Sequence, residues 1–373
     1  MQGTGKNVFV GLSGGVDSSV AAVRLIAQGY NVVGVFIKVW HPDFMVCNWE
    51  QERLDAMRVA AHLGIPFLTC DAQAAYRDDV AHYFIEEYRA GRTPNPDVMC
   101  NQHVKFGRFL DWAIEKGADY IATGHYAQKK EPTPVRGLAS NKLIPHSTRQ
   151  DLELAELHRG VDTGKDQTYF LWTLSNQQLE RSLFPVGDTP KEQIRAEAEA
   201  AGIPVAAKKD SQGICFLGHV DIPDFLSHYI DLEVGDVLNT SGEVIGSHKG
   251  SLVYTLGQRH GFTIFAADTN RTPHYVIATD IASNTLTVAA QPPESKEKTA
   301  LTLESISLRQ PLKVGQPIEF QIRYRQTPID AIVTALTADS IKITPVSPIE
   351  QPAKGQSCVL YLGPLCIGGG IIA

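Results

Sequence analysis

Residues 7 to 19 read Asn-Val-Phe-Val-Gly-Leu-Ser-Gly-Gly-Val-Asp-Ser-Ser. Val8, Phe9, Val10 and Leu12 form a short apolar run, as expected of a parallel strand buried on both faces. Ser13-Gly14-Gly15 then permits a sharp turn, because glycine reaches backbone angles closed to other residues. Asp17, Ser18 and Ser19 suit the opening turn of a helix, which Ala21, Ala22, Leu25 and Ile26 continue. A strand, a glycine turn and a helix N-terminus in that order leave backbone N–H groups free for phosphate. The chain is therefore expected to bind a nucleotide by its phosphates.

Two other phosphate loops do not fit. A Walker A loop needs a lysine just before its closing hydroxyl residue, and this loop has none. Gly3-Thr4-Gly5-Lys6 supplies one, but it precedes the strand instead of following it. A Rossmann fingerprint needs a third glycine where the helix packs, and Asp17 and Ser18 stand there. The pattern Ser-Gly-Gly-x-Asp-Ser resembles the pyrophosphate loop of the ATP-pyrophosphatase superfamily. That resemblance implies β,γ-phosphates held while AMP is transferred to a substrate oxygen. A plain glycine-rich turn is the alternative.

The 373 residues suffice for two or three domains with real cores. No apolar stretch is long enough to span a bilayer. The first residues resemble neither a secretory signal nor an arginine-rich leader, so a cytoplasmic location is expected. Six cysteines in a chain of this length do not form a disulfide framework. None lies in a Cys-x-x-Cys pair, so no metal site is assigned. The net charge of −7 argues weakly against nucleic acid. Residues 89 to 149, however, hold ten Lys and Arg against five Asp and Glu, an excess suited to a polyanion or to a solvated surface.

The first half alternates strand and helix. Strands are expected over 31–40, 66–70 and 119–123, and helices over 50–63, 74–90 and 103–116. This is the α/β pattern of a doubly wound parallel sheet, with ligands at the carboxyl ends of its strands. Residues 129–160 lack a period and read as a long exposed loop. Helical segments resume over 166–182 and 190–201. Beyond about 219 the chain turns to short Val, Ile, Leu and Thr runs broken by turn residues, which predicts small β-rich, barrel-like units. The expected domains are 1–218, 219–292 and 293–373, with Pro292-Pro293-Glu294-Ser295-Lys296 as the second joint.

Two cysteines sit in unusual settings. Residues 93 to 105 read Thr-Pro-Asn-Pro-Asp-Val-Met-Cys-Asn-Gln-His-Val-Lys. Two prolines stiffen the chain ahead of Asp97. Cys100 falls where the next helix is expected to begin, a position that stabilises a thiolate. Residues 208 to 218 read Lys-Lys-Asp-Ser-Gln-Gly-Ile-Cys-Phe-Leu-Gly. Cys215 thus lies in a short turn beside Lys208 and Lys209, again favourable to a thiolate. Either cysteine taken alone is as readily a small buried hydrophobe. Cys47, Cys70, Cys358 and Cys366 lie in apolar runs and read as structural.

Five motifs now stand in order: Ser13-Gly14-Gly15-Val16-Asp17-Ser18-Ser19, Asn95-Pro96-Asp97 with Cys100-Asn101, Thr123-Gly124-His125-Tyr126, Lys165-Asp166-Gln167-Thr168-Tyr169-Phe170-Leu171, and Ser211-Gln212-Gly213-Ile214-Cys215-Phe216. Together they resemble the tRNA-specific 2-thiouridylase family, MnmA, within the ATP-pyrophosphatases. Gly257-Gln258-Arg259-His260-Gly261 and Ile322-Arg323-Tyr324-Arg325 extend the resemblance over nearly the whole chain. It implies an ATP-dependent sulfurtransferase. ATP adenylates the C2 oxygen of the wobble uridine, position 34 of certain tRNAs, and a cysteine persulfide replaces that oxygen with sulfur as AMP leaves.

Carried over position by position, the resemblance implies ATP phosphates on Gly11, Leu12, Ser13, Gly14, Gly15, Val16, Asp17 and Ser18. It sets Ile37 against adenine, where relatives often carry methionine, and Gly124 at the nucleotide. Asn95, Pro96 and Asp97 are implied to meet the target base. Cys100 matches the nucleophile and Cys215 the persulfide carrier, the two forming a catalytic disulfide. His125, Lys165, Asp166, Gln167, Arg323, Tyr324 and Gln356 match tRNA-contacting positions. The tRNAs for Lys, Glu and Gln, and a sulfur-relay or cysteine desulfurase donor, are the implied partners. Segment 129–160 departs from the family by its length.

The chemistry accounts for these residue types. A uracil carbonyl oxygen leaves poorly until it is joined to AMP, and that joining releases pyrophosphate. Magnesium is expected to bridge the phosphates, with Asp17 as a helper. Asp97 beside the base serves as general acid or base at N3, or else caps the helix that carries Cys100. Cys100 either attacks the Cys215 persulfide to release sulfide, or resolves the product after the persulfide attacks C2. The two sulfurs are expected to lie apart at rest and to meet by loop motion. Arg323 and Arg325 are expected on one face of a strand, with Tyr324 on the other. Two rival readings are a small-molecule ligase with the same loop, and a non-catalytic RNA-binding protein.

Overall fold

The computed structural model describes residues 5–45, 49–131, 155–210, 213, 215, 218, 221–265, 273–292, 299–350 and 352–373. Cys47, most of segment 129–160, Ser211, Gln212, Ile214, Phe216 and most of the 292–296 joint lie outside them.

The N-terminal unit contains β1 (Asn7–Gly11), β2 (Asn31–Lys38), β3 (Phe67–Asp71), β4 (Tyr120–Ala122), β5 (Ala127–Lys130), β6 (Glu156–Arg159) and β7 (Ser182–Leu183). Five of them form a parallel sheet in the order β3-β2-β1-β4-β7. Val8, Phe9 and Val10 are 0, 5 and 0% exposed, so β1 is covered on both faces. On one face Val8 and Val10 pack with Val20, Ala21 and Leu25 of α1 (Val16–Ala27) and Val59 and Ala60 of α2 (Trp49–Leu63). On the other, Phe9, Ile37 and Ile121 pack with Val104, Phe109 and Ala113. The strand order reverses between β1 and β4. Their carboxyl ends therefore open into the crevice where such sheets bind ligands.

A continuous helical stretch runs over 96–115, seven residues earlier in its start than the sequence suggested. Asn95 is its N-cap, its side chain accepting from the Val98 N–H at 3.2 Å, and Pro96 occupies the first turn. The expected helix over 166–182 is a 3₁₀ turn at Thr168–Phe170, a short helix at Asn176–Glu180 and β7. There Asp166 takes the Thr168 N–H and hydroxyl, which a continuing helix would leave to its own ladder.

The described ends of segment 129–160 are strands instead of loop. β5 and β6 pair antiparallel, and β6 joins the C-terminal sheet. The second unit contains β8 (Gly235–Leu238), β9 (Val244–His248), β10 (Thr263–Ile264), β11 (Tyr275–Asp280) and β12 (Thr285–Ala289), in the order β10-β9-β8-β12-β11. The third contains β13 (Leu301–Leu308), β14 (Pro317–Gln321), β15 (Ile329–Leu336), β16 (Ile341–Pro345), β17 (Ser357–Leu362) and β18 (Leu365–Ile372). A β13–β18 pairing closes them into a barrel. Arg323, Tyr324 and Arg325 do not continue β14. They form a turn, with Arg325 at φ 63°, so the expected strand alternation fails there.

The three units meet at one short segment. Thr93 donates its N–H to the Lys354 carbonyl of the barrel at 2.8 Å, and its hydroxyl lies 3.0 Å from that of Thr255 in the second unit. Tyr169 donates its hydroxyl to the Ile322 and Ser357 carbonyls of the barrel. Asn95-Pro96-Asp97 follows directly from this junction.

Candidate active site

The phosphate loop sits at the carboxyl end of β1. Leu12 N–H bonds the Val35 carbonyl at 2.8 Å, which holds the loop against β2. Gly14 has φ 70°, and a Cβ there would lie 2.7 Å from the Glu52 carbonyl oxygen. Only glycine fits both restraints. Gly15 is the N-cap of α1, and no side chain caps that end. The first N–H groups of a helix lack intrahelical partners, so this end is open to an anion. Ser19 donates to the Gly15 carbonyl at 2.7 Å, and Ser18 takes the Ser13 N–H at 3.4 Å. Gly124 lies against this loop, where a Cβ would stand 2.7 Å from Ser18 N. Ile37 is buried at the end of β2 beside Gly11.

Charged groups around the loop escaped the sequence reading, because their partners are distant in the chain. Lys191 holds both Asp17 carboxylate oxygens at 2.7 and 2.8 Å, and the Tyr126 hydroxyl donates to the same group at 2.7 Å. Asp17 is thus already neutralised, which does not fit it as a lone carboxylate for magnesium. Lys191 also pairs with Asp210 at 2.8 Å. Lys208 donates to the Gly14 carbonyl at 3.1 Å and pairs with Asp55 at 2.9 Å. Lys208 therefore serves the phosphate loop instead of Cys215.

The sulfur pair lies at the start of the 96–115 helix. Cys215 donates its N–H to Asp97 Oδ1 at 2.7 Å and accepts the Tyr76 hydroxyl on its carbonyl at 3.0 Å. The Cys100 and Cys215 thiols are hydrogen-bonded to each other. They touch in the resting fold, contrary to the expected separation. Cys100 is fully buried beyond the first helical turn, so the expected helix-terminus activation fails. Burial, then the Cys215 hydrogen bond, pushes its thiol well above the ordinary range. The Cys100 hydrogen bond, opposed by burial and helped by Lys105, holds Cys215 at about 7. Cys215 is the more acidic thiol of the pair. Desolvation raises the Asp97 carboxyl, opposed by the Cys215 N–H. Asp97 is not the helix cap; Asn95 is.

Three of the expected tRNA contacts make hydrogen bonds within the fold. His125 is buried, its Nδ1 lies 2.7 Å from the Thr123 hydroxyl, and burial with the nearby Lys105 charge keeps it neutral. Asp166 accepts from the Gly160 and Thr168 N–H groups, and Gln167 Oε1 from that of Tyr126. Asp166 and Gln167 are half-buried and shape the turn after β6, while His125 lies in the turn after β4. Lys165 pairs with Asp210 at 2.8 Å. Gln356 has a buried amide oxygen without a hydrogen-bond partner. Arg323 and Arg325 are exposed beside a groove of about 480 Å³, where Arg323 meets Glu350 at 3.3 Å and Tyr324 packs on Phe170. Cys70, Cys358 and Cys366 are buried, and burial raises each thiol.

A glycine-rich phosphate loop at the reversal of a parallel sheet, with two hydrogen-bonded cysteines beside it, defines a nucleotide-dependent α/β enzyme of the ATP-pyrophosphatase kind. Family models match residues 6–219, described as a tRNA methyl transferase HUP domain, 223–290, a PRC-barrel domain, and 298–372, an aminomethyltransferase β-barrel domain. The chain belongs to the tRNA-specific 2-thiouridylase family. The MnmA protein of Klebsiella pneumoniae is 43% identical over 98% of this chain and 96% of its own length. That of Escherichia coli is 42% identical over 100% and 98%, and that of Enterococcus faecalis 41% over 98% and 94%. Among solved structures, the U34-tRNA thiolase NcsA of Methanococcus maripaludis covers 61% of this chain and 66% of its own, at 15% identity and TM-score 0.35.

Proposed function

We propose that this protein is a tRNA 2-thiouridylase that uses ATP and a cysteine persulfide to convert wobble uridine 34 to 2-thiouridine, acting in the cytoplasm on tRNAs for Lys, Glu and Gln. The observation that carries the reading is the hydrogen-bonded Cys100–Cys215 pair beside Asp97. Neither a small-molecule ligase nor a vestigial nucleotide fold needs such a pair.

ATP lies with its phosphates on the loop from Gly11 to Ser18, the α1 N-terminus facing the negative charge and Lys208 and Lys191 flanking it. Magnesium, when bound, would neutralise phosphate charge, and Asp17, paired to Lys191, is the nearby carboxylate that could assist it only by leaving that pair. The target uracil enters at Asn95, Pro96 and Asp97. Its C2 oxygen attacks the α-phosphorus, and pyrophosphate leaves. Asp97, with its carboxyl raised, exchanges a proton at N3.

Sulfur arrives when the Cys215 thiolate attacks the terminal sulfur of a donor persulfide. The new S–S bond forms on Cys215, and the donor leaves as a thiolate. In one route the sulfur of Cys100 then attacks Cys215 Sγ as its proton passes to the departing terminal sulfur, a disulfide forms, and the released hydrosulfide attacks C2 as AMP leaves. In the other the persulfide attacks C2, and Cys100 frees the thiocarbonyl by attacking Cys215 Sγ. Both routes end in a Cys100–Cys215 disulfide that a thiol reductant must reopen. Arg323, Tyr324 and the Lys165 segment guide the tRNA.

The test is mass spectrometry of tRNA incubated with protein, ATP, magnesium and a persulfide donor. Thiolation is expected at the wobble uridine. It should be lost in Cys100→Ser and Cys215→Ser while ATP binding survives. Full activity of Cys215→Ser with a persulfide donor contradicts the reading. Free sulfide is excluded from the assay because it bypasses Cys215.

A further inference from the structure

The Cys215 anion is favoured first by the hydrogen bond from the Cys100 thiol, against burial, and next by a neighbouring cation. Asp97 lies against the Cys215 N–H, the Tyr76 hydroxyl is bonded to its carbonyl, and the Cys100 thiol is fully buried beside it. Among the described groups facing the pair, His125 is neutral and Asp97 is acidic. The cation at the pair is Lys105, whose ammonium hydrogen-bonds Cys215 and feels the charges of Cys215, Cys100 and Asp97.

Backbone geometry puts it there. Cys100–Arg108 is a π-helix inserted between the α-helical turns Pro96–Met99 and Phe109–Glu115. A π-helix repeats its hydrogen bonds at i→i+5, so Cys100 and Lys105, five residues apart, come round to one face. In an α-helix of 3.6 residues per turn the same spacing would swing Lys105 about 140° away. The wider turn therefore faces an ammonium to the sulfurs from the stretch of chain that carries the nucleophile.

We propose that Lys105 is a catalytic residue for sulfur transfer, its ammonium seated against the sulfur pair to hold Cys215 as the anion that accepts and passes on sulfur. The same contact holds the terminal sulfur of the Cys215 persulfide anionic, and it orients Cys215 Sγ toward Cys100. This inference rests on the reading of Cys215 as the sulfur carrier, but its test needs neither tRNA nor ATP.

The experiment is site-resolved alkylation of Cys215 by iodoacetamide across pH 5–10, read by peptide mapping of the reduced full-length protein. Wild type should alkylate with a midpoint near neutrality. Lys105→Met and Lys105→Gln should move that midpoint upward and slow alkylation at pH 7 by about fivefold, because a thiol whose midpoint rises about one pH step above neutrality falls from about half to about a tenth ionised at pH 7. Lys105→Arg should keep most of the wild-type rate. Either neutral variant alkylating as wild type, while melting normally, overturns the proposal. A wild-type midpoint above 8.5 overturns it without any variant. Loss of thiolation with an unchanged alkylation profile would leave the proposed function standing and this assignment refuted.

Discussion

Asp210 takes Lys165, Lys191 and Arg195 each at 2.8 Å, and Lys191 passes the contact on to Asp17 in the phosphate loop. Although partly desolvated, its carboxyl is drawn from 3.8 to about 2 by the hydrogen bonds of Lys165 and Lys191. A lowered carboxyl adds stability that is present above the unfolded value and fades as pH falls through the folded one. Asp210→Asn should therefore melt below wild type at pH 5 and above, and the gap should close between about pH 4 and pH 2. Melting curves over that range check it; a constant gap contradicts the pairing. None of these partners was legible. Lys165 and Asp210 stand in motifs that read locally as Lys-Asp-Gln and Lys-Lys-Asp, Lys191 and Arg195 stand on a separate helix, and only the fold decides which carboxylate each cation meets. Lys105 shows the same limit: it was visible in the Cys100 motif, but its direction depends on a π-turn with no sequence signature.

β4 ends in Thr123-Gly124-His125, and this turn lies on the phosphate loop closely enough that a Cβ at Gly124 would stand 2.7 Å from Ser18 N and 2.8 Å from the Asp17 carbonyl carbon. Backbone on both sides cannot yield as a side-chain tip can. Overpacking of this kind costs about 1–3 kcal/mol. Gly124→Ala should weaken ATP binding by about ten- to a hundredfold, measured by calorimetry without tRNA. Gly164→Ala is the control, since its backbone is outside the left-handed region and a Cβ there meets only Asp162 Oδ1, at 3.4 Å. Equal affinity in Gly124→Ala and wild type would remove Gly124 from the site. At this scale β1, α1, β2 and α2 were legible, because a strand covered on both faces reads as an apolar run and its helices carry a clear period. The start of the 96–115 helix was missed although Asn95-Pro96 is a cap followed by an N-terminal proline. Apolar spacing alone marks the middle of a helix better than its end.

Asn95-Pro96-Asp97 emerges from the point where Thr93 touches both the barrel and the second unit, and Gly355 of the barrel leaves room for it. A Cβ at Gly355 would come within 2.8 Å of Arg92 Cβ and 3.0 Å of Thr93 N. The segment proposed to meet the target base thus begins at a junction of all three units. The β-rich nature of residues beyond 219 was legible from their short branched runs. Their closure around this segment was not, because pairings such as β6 with β18 join residues far apart in the chain. The internal hydrogen bonds of His125, Asp166 and Gln167 belong to the same scale, since motif matching assigns a position and only packing shows what its side chain meets.

What the whole arrangement asserts is a working pair of sulfurs rather than two independent thiols. A single turnover tests this directly: protein carrying a Cys215 persulfide is mixed with ATP, magnesium and tRNA in the absence of any reductant. Non-reducing peptide mapping is then compared with the yield of 2-thiouridine. One Cys100–Cys215 disulfide should appear for each thiolated uridine. Thiolated tRNA accumulating while both cysteines stay reduced would contradict the account.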